Sequence, residues 1–191
     1  MTARAVSRRA ARRGAAGDPF AVFDTPSRVA RILAVCTGNV CRSPVIERLL
    51  RQRIGALDLG GIAVDSAGTH ALVGEDMQPG SRAIVLAHGA NADDFRSTSI
   101  DEVDLGGYDL VLTASESHRR AVIESEPSLL SRTFPLLGFA RWHSFMAGPP
   151  GTEPDDTIVD PYRRGADHYH AMERQIVPAI DAVVAHLLQE R

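Results

Sequence analysis

The fourteen residues Arg31-Ile-Leu-Ala-Val-Cys36-Thr-Gly-Asn-Val-Cys-Arg42-Ser43-Pro44 constrain this chain more than any other stretch. Val29, Ile32, Leu33 and Val35 crowd into residues 28–35, which predicts a short buried strand. Pro44 then opens a helical pattern with Val45, Ile46, Leu49, Leu50 and Ile54 on one side. Between them lies a loop of small residues, Cys36 to Ser43, in which Gly38 and Asn39 are expected at positive φ. A strand, a tight loop and a helix N-terminus in succession aim several backbone N–H groups at one point, which makes an anion site. Cys36 opens that loop and Arg42 follows six residues later. A field that holds an oxyanion also favours the ionised form of a thiol, so Cys36 is expected as a thiolate. The planar fork of Arg42 suits two oxygens of a phosphate. A thiolate beneath a bound phosphate stands in line for attack on phosphorus. Ser43 supplies a hydroxyl that donates to the thiolate and eases its departure as a leaving group.

The rest of the chain repeats strand and helix signals. Residues 61–66 read as a second strand, followed by a turn at 67–70 and a helix over 80–89. Residues 108–113 read as a third strand with a helix at 115–124 behind it, and 133–137 as a fourth strand weakened by Pro135. A short amphipathic piece at 138–146, a Pro/Gly-rich loop at 148–156 and a last helix at 166–189, kinked or divided at Pro178, complete the pattern. Alternating strands and helices imply βαβ units: an α/β fold of three layers (α/β/α) around a four-stranded parallel sheet, flavodoxin-like in outline. In such sheets ligands bind beyond the carboxyl ends of the strands, where Cys36 falls. Residues 28–191 are expected to form a single domain, and residues 1–27 a flexible basic tail.

The Cys-x-Gly-Asn-x-Cys-Arg-Ser-Pro string resembles the signature of the low-molecular-weight protein-tyrosine phosphatases, bacterial type, and the resemblance covers roughly residues 29 to 190. It implies the phosphotyrosine phosphatase I-like variant of the fold. It implies Cys36 as the nucleophile that forms a phosphocysteine, Arg42 as the phosphate binder, Ser43 as the thiolate stabiliser and Asn39 as the residue that shapes the loop. The loop positions Thr37, Gly38, Val40 and Cys41 complete the phosphate cradle. In the family the second cysteine, here Cys41, closes a reversible disulfide with the nucleophile; a small residue facing the core is the plain alternative.

An aryl phosphate also needs a group to protonate the departing oxygen, worth about 10²–10⁴ in rate. The resemblance assigns this to Asp160 in Ile158-Val-Asp-Pro-Tyr162, an Asp-Pro-aromatic motif, with Asp155 and Asp156 as neighbouring rivals. It implies two walls for the cleft, Tyr162 and Leu72, the second often aromatic in relatives. The Ser66-to-Gly74 string is similar to that of bacterial members tied to tyrosine kinases of capsule and exopolysaccharide export. The expected partner is therefore a phosphotyrosyl protein, such as a kinase of that kind. Phe95, Thr98, Ala114, Ser115 and Thr37 depart from the family pattern without removing a residue the chemistry requires, and suggest an altered buried network or rim.

Two other functions compete. An arsenate reductase shares this loop, but a thiol cascade needs further cysteines and none follows Cys41, which leaves only a version assisted by an external small thiol. The other is a phosphate- or phosphopeptide-binding module that has lost catalysis. The seven histidines are scattered, and His168-x-His170 reads as helix surface. No metal and no cofactor are expected. Net charge is −3, with +4 carried by the first 28 residues, so nothing over the whole points to nucleic acid. No apolar run of about 18 residues exists, so no integral membrane segment is expected. The basic tail lacks the apolar stretch of a secretory signal, and two cysteines in one loop suit a reducing cytoplasm.

Overall fold

The structure, a computed structural model, describes residues 29–143 and 155–189. The expected basic tail, most of the 148–156 loop and the end of the 138–146 piece lie outside them. The first strand, β1 (Arg31–Cys36), is buried at every residue after Arg31. Its side chains alternate between two cores: Ile32, Ala34 and Cys36 join one cluster, Leu33 and Val35 the other. Burial on both faces is why this strand reads as a continuous apolar run.

On one side β1 pairs with β2 (Ala63–Gly68), and on the other with β3 (Leu110–Thr113), which in turn pairs with β4 (Thr133–Pro135). All pairs are parallel and the order is β2-β1-β3-β4. The larger core lies under α1 (Arg42–Ala56), α4 (Leu136–His143) and α5 (Ala166–Gln189), with α2 (Pro79–Ala87) at its margin. The smaller core, with Val111, Val122 and Leu129, lies beneath α3 (Glu116–Ser125). Helices therefore cover both faces of the sheet, as expected. The chain leaves β1 outward to β2 and then returns across it to β3. That reversal opens a crevice at the carboxyl end of β1, where Cys36 is the last strand residue.

Several boundaries differ from expectation, each for a local reason. Helix α1 begins at Arg42, so Pro44 is its third residue, where a missing N–H is still harmless. Strand β2 runs two residues later than expected and ends at Gly68. Strand β3 begins at Leu110 because Leu105–Gly107 form a short 3-10 turn ahead of it. Pro135 ends β4 on the sheet edge, and Leu136 already belongs to α4. Helix α5 runs unbroken through Pro178, which removes one i→i−4 bond without dividing the helix. Among the described residues, no helix is long and apolar enough to cross a membrane.

Candidate active site

The loop from Cys36 to Arg42 is held from outside by the segment that leaves β2. The carbonyls of Cys36, Thr37, Gly38 and Val40 accept from the N–H groups of Thr69, His70, Leu72 and Gln78 at 2.8–3.0 Å. A trans peptide points its C=O and the following N–H in opposite directions. The N–H groups of Thr37, Gly38, Asn39 and Cys41 are therefore turned to the inner side of the loop. Helix α1 adds its own N-terminus there: Cys41 is the N-cap and makes no side-chain cap, and the first turn carries no acidic residue. Its terminal N–H groups are left for an anion.

The loop's shape follows from two residues. Asn39 sits at φ 53, a left-handed conformation that Asn tolerates. Gly38, expected at positive φ as well, is not, and a Cβ there would meet Val40 Cγ2 at 3.5 Å and Leu72 Cγ at 3.8 Å, ordinary contact distances. Gly68, which sequence reasoning passed over, is the more demanding glycine. A Cβ on it would stand 2.5 Å from the Thr37 carbonyl oxygen and 3.0 Å from the Asn39 nitrogen. Gly68→Ala is expected to displace the loop, lowering stability by about 1–3 kcal/mol and kcat/KM by roughly 10²-fold. Thermal melting and steady-state kinetics on that variant check it.

A buried hydrogen-bond chain beneath the loop has its direction set by the backbone. The Thr98 N–H, a donor only, reaches Asn39 Oδ1 at 2.7 Å. Asn39 Nδ2 must then donate, and it does so to Ser43 Oγ and Ser66 Oγ, both at 2.9 Å. Each hydroxyl keeps one hydrogen to place: Ser66 donates to Glu47 Oε2 at 2.5 Å, and Ser43 has Cys36 Sγ at 3.0 Å and the Ala67 carbonyl at 3.4 Å, the sulfur being the nearer. A hydrogen bond donated to sulfur favours the thiolate. Glu47, also missed from the sequence, is buried at the base of this chain beside Arg51, 3.1 Å away. Burial pushes its carboxyl up, opposed by the Ser66 hydrogen bond and the Arg51 charge. The departure at Thr98 changes nothing here, since the contact uses its backbone. Phe95 is buried in the larger core.

Cys41 is also buried. Burial first, and then the charge of Cys36, push its thiol up to about 11, with the Tyr169 hydroxyl 4.0 Å from its sulfur. It is therefore a thiol near neutral pH, and both cysteines are free.

Arg42 is 6% exposed. Its NH2 donates to Thr37 Oγ1 at 3.3 Å and to Asp160 Oδ2 at 2.8 Å, while its buried Nε has no partner among the described residues. An orphaned guanidinium donor in a ring of inward N–H groups fits a tetrahedral oxyanion. Asp160 is placed by tertiary anchors: the Ile158 N–H donates to the Ala114 carbonyl at 2.9 Å and Val159 N to Gln175 Oε1 at 2.8 Å. Its Oδ1 accepts from Tyr162 N at 3.1 Å, and its side chain is 51% exposed. Of its rivals, Asp156 is buried against Arg141 and Asp155 is turned to its own loop.

These groups line one cleft of about 160 Å³, in which Cys36, Arg42 and Asp160 meet Val40, Leu72 and Tyr162. An enclosed cavity of about 150 Å³ accommodates benzene, so the cleft is on the scale of a small ring. Thr37, Gly38, Cys41 and His70 complete the lining. The remaining unforeseen residue is His118. It is buried, with Nε2 2.8 Å from Thr37 Oγ1 and Nδ1 2.6 Å from Ser115 Oγ. The signal was present as Ser115-x-x-His118 at a helix start, a spacing that puts an N-cap hydroxyl beside the third helical residue. Among the described residues, no group of three or more His, Cys, Asp or Glu is placed to hold a metal ion.

A sequence profile described as low molecular weight phosphotyrosine protein phosphatase matches residues 31–191. The chain is 33% identical over 142 residues to the low molecular weight protein-tyrosine-phosphatase Wzb of Salmonella typhi, covering 74% of this chain and 83% of that one. Among solved structures, the tyrosine phosphatase amsI of Erwinia amylovora matches with a TM-score of 0.67 and 28% identity, over 83% of this chain and 93% of that one. The YwlE arginine phosphatase of Geobacillus stearothermophilus matches with a TM-score of 0.70 and 28% identity, over 84% of this chain and 94% of that one.

Proposed function

The chain belongs to the low-molecular-weight phosphotyrosine protein phosphatase family, and we propose that it hydrolyses phosphotyrosyl side chains through a phosphocysteine at Cys36. The observation that carries this reading is the meeting of Cys36 Sγ, hydrogen-bonded to Ser43, with inward N–H groups and the orphaned Nε of Arg42.

A phosphate dianion entering the loop takes over the guanidinium from Asp160, which leaves that carboxyl group free to serve the leaving oxygen. The Cys36 thiolate then donates its lone pair to phosphorus as the bond to the phenolic oxygen breaks. Asp160 gives its proton to that oxygen. Arg42 and the loop N–H groups hold the three spreading oxygens, which is where most of the barrier reduction arises. In the second step Asp160 takes a proton from water as its oxygen bonds to phosphorus. The sulfur–phosphorus bond breaks, and Ser43 receives the thiolate with a hydrogen bond. Guanidinium and amides supply the positive field throughout.

A flat ring fits the apolar sides better than a phosphoguanidino group, which would need carboxylates or hydroxyls along the walls. Val40 and Leu72, two of the residues lining the cleft, offer no such group. Comparing phosphotyrosyl with phosphoarginyl peptides tests this, with faster turnover of the first expected and the reverse contradicting it. Leu72 is an aliphatic wall, 40% exposed. Leu72→Trp is expected to raise kcat/KM for an aryl phosphate about two- to tenfold through ring contact, with little change for a matched alkyl phosphate. Equal effects on both substrates would remove Leu72 from the wall. The partner we assign is a bacterial tyrosine kinase of polysaccharide export, supported by the Ser66-to-Gly74 string, and the compartment is the reducing cytoplasm, supported by two free thiols in one loop.

A further inference from the structure

We propose that His118 is a positioning residue: its Nε2 accepts the Thr37 hydroxyl hydrogen, which turns the Thr37 oxygen toward Arg42 and sets the guanidinium for phosphate. The proposal rests on the phosphatase reading of this site. Its geometry is a continuous line of close polar contacts from α3 into the cleft. Ser115 Oγ accepts from the His118 backbone N–H as the cap of α3 and lies 2.6 Å from Nδ1. Nε2 lies 2.8 Å from Thr37 Oγ1, and Thr37 Oγ1 lies 3.3 Å from Arg42 NH2.

The donor inventory orients this line. Arg42 only donates, so the Thr37 oxygen accepts from it and has one hydrogen to place. The ring nitrogen facing it stands near a guanidinium charge, and a lone pair in that place is favoured over an N–H. The ring proton therefore sits on Nδ1, where Ser115 accepts it. Burial first and the Arg42 charge second push His118 down to about 4, with Asp160 opposing and His70 assisting, so the ring is neutral near pH 7. Two departures from the family pattern, Thr37 and Ser115, are thereby explained together: they are the two hydroxyls that His118 joins.

The amide isosteres separate this role from a structural one. The Asn side chain reaches the Nδ1 position and keeps Ser115; the Gln side chain reaches the Nε2 position and keeps an acceptor for Thr37. Full-length wild type, Thr37→Val, His118→Asn, His118→Gln and the Thr37→Val/His118→Asn double variant are compared by para-nitrophenyl phosphate kinetics and by calorimetric affinity for inorganic phosphate. Thr37→Val and His118→Asn are each expected to lose about tenfold in kcat/KM and in phosphate affinity, the scale of one charge-assisted hydrogen bond. The double variant loses no more than either, and His118→Gln recovers most of what His118→Asn loses. Gln as impaired as Asn, Asn unimpaired, or multiplicative losses in the double variant would overturn the proposal. A wild type that binds phosphate without hydrolysing the ester defeats the phosphatase reading instead, and the affinities still decide the role of His118. If a variant fails to fold, nitrogen-15 NMR of the wild-type ring decides: a proton on Nδ1 with Nε2 bare supports the proposal, and a proton on Nε2 overturns it.

Discussion

Cys36→Ser abolishes hydrolysis of phosphotyrosine and of para-nitrophenyl phosphate, by at least about 10⁴-fold in kcat, while inorganic phosphate still binds. The two halves of this expectation rest on different atoms. Binding uses the inward N–H groups of the loop and the Arg42 guanidinium, none of which the substitution touches. Bond formation needs an ionised sulfur. A serine hydroxyl in the same place carries its proton at any working pH, and Ser43, whose hydrogen is directed at position 36 by Asn39, cannot remove it. Residual turnover within tenfold of wild type in the folded variant would mean that water attacks phosphorus directly and that Cys36 is a packing residue.

Asp160→Ala is expected to lower kcat by about 10²–10⁴ for phosphotyrosine. The loss should depend on the leaving group. A nitrophenolate departs readily without a proton, whereas the tyrosyl oxygen does not, so the variant should show a smaller deficit on para-nitrophenyl phosphate than on phosphotyrosine. The substitution also frees Arg42 NH2 from its 2.8 Å partner, so KM should not rise. Kinetics across a series of aryl phosphates reads both features. An equal loss on every ester would indicate that Asp160 acts by holding Arg42 rather than by giving a proton.

The strand, loop and helix around Cys36 were legible in the sequence because their determinants are local: an apolar run, small residues, and a proline in the first turn. The parallel sheet followed from strands separated by helical patterns. Asp160 is brought beside Arg42 by contacts of Ile158 with Ala114 and of Val159 with Gln175, none of which spacing alone reveals; the Asp-Pro-Tyr context supplied it instead. Gly68 and Glu47 were not legible, and for His118 the cap spacing from Ser115 was legible but its contact with the loop was not; the reason is shared. Each acts through a neighbour distant in the chain: the Thr37 carbonyl for Gly68, Ser66 for Glu47, Thr37 for His118. Gly38 shows the converse, a glycine read for a positive φ that it does not adopt.

The most direct measurement is a rapid acid quench of the full chain during turnover of a phosphotyrosyl peptide, with the site of any covalent phosphate located by phosphorus NMR and mass spectrometry. The expected result is phosphate bonded to Cys36 sulfur in the wild type and absent in Cys36→Ser. Steady turnover with no phosphate on Cys36 at any quench time would contradict the phosphocysteine route.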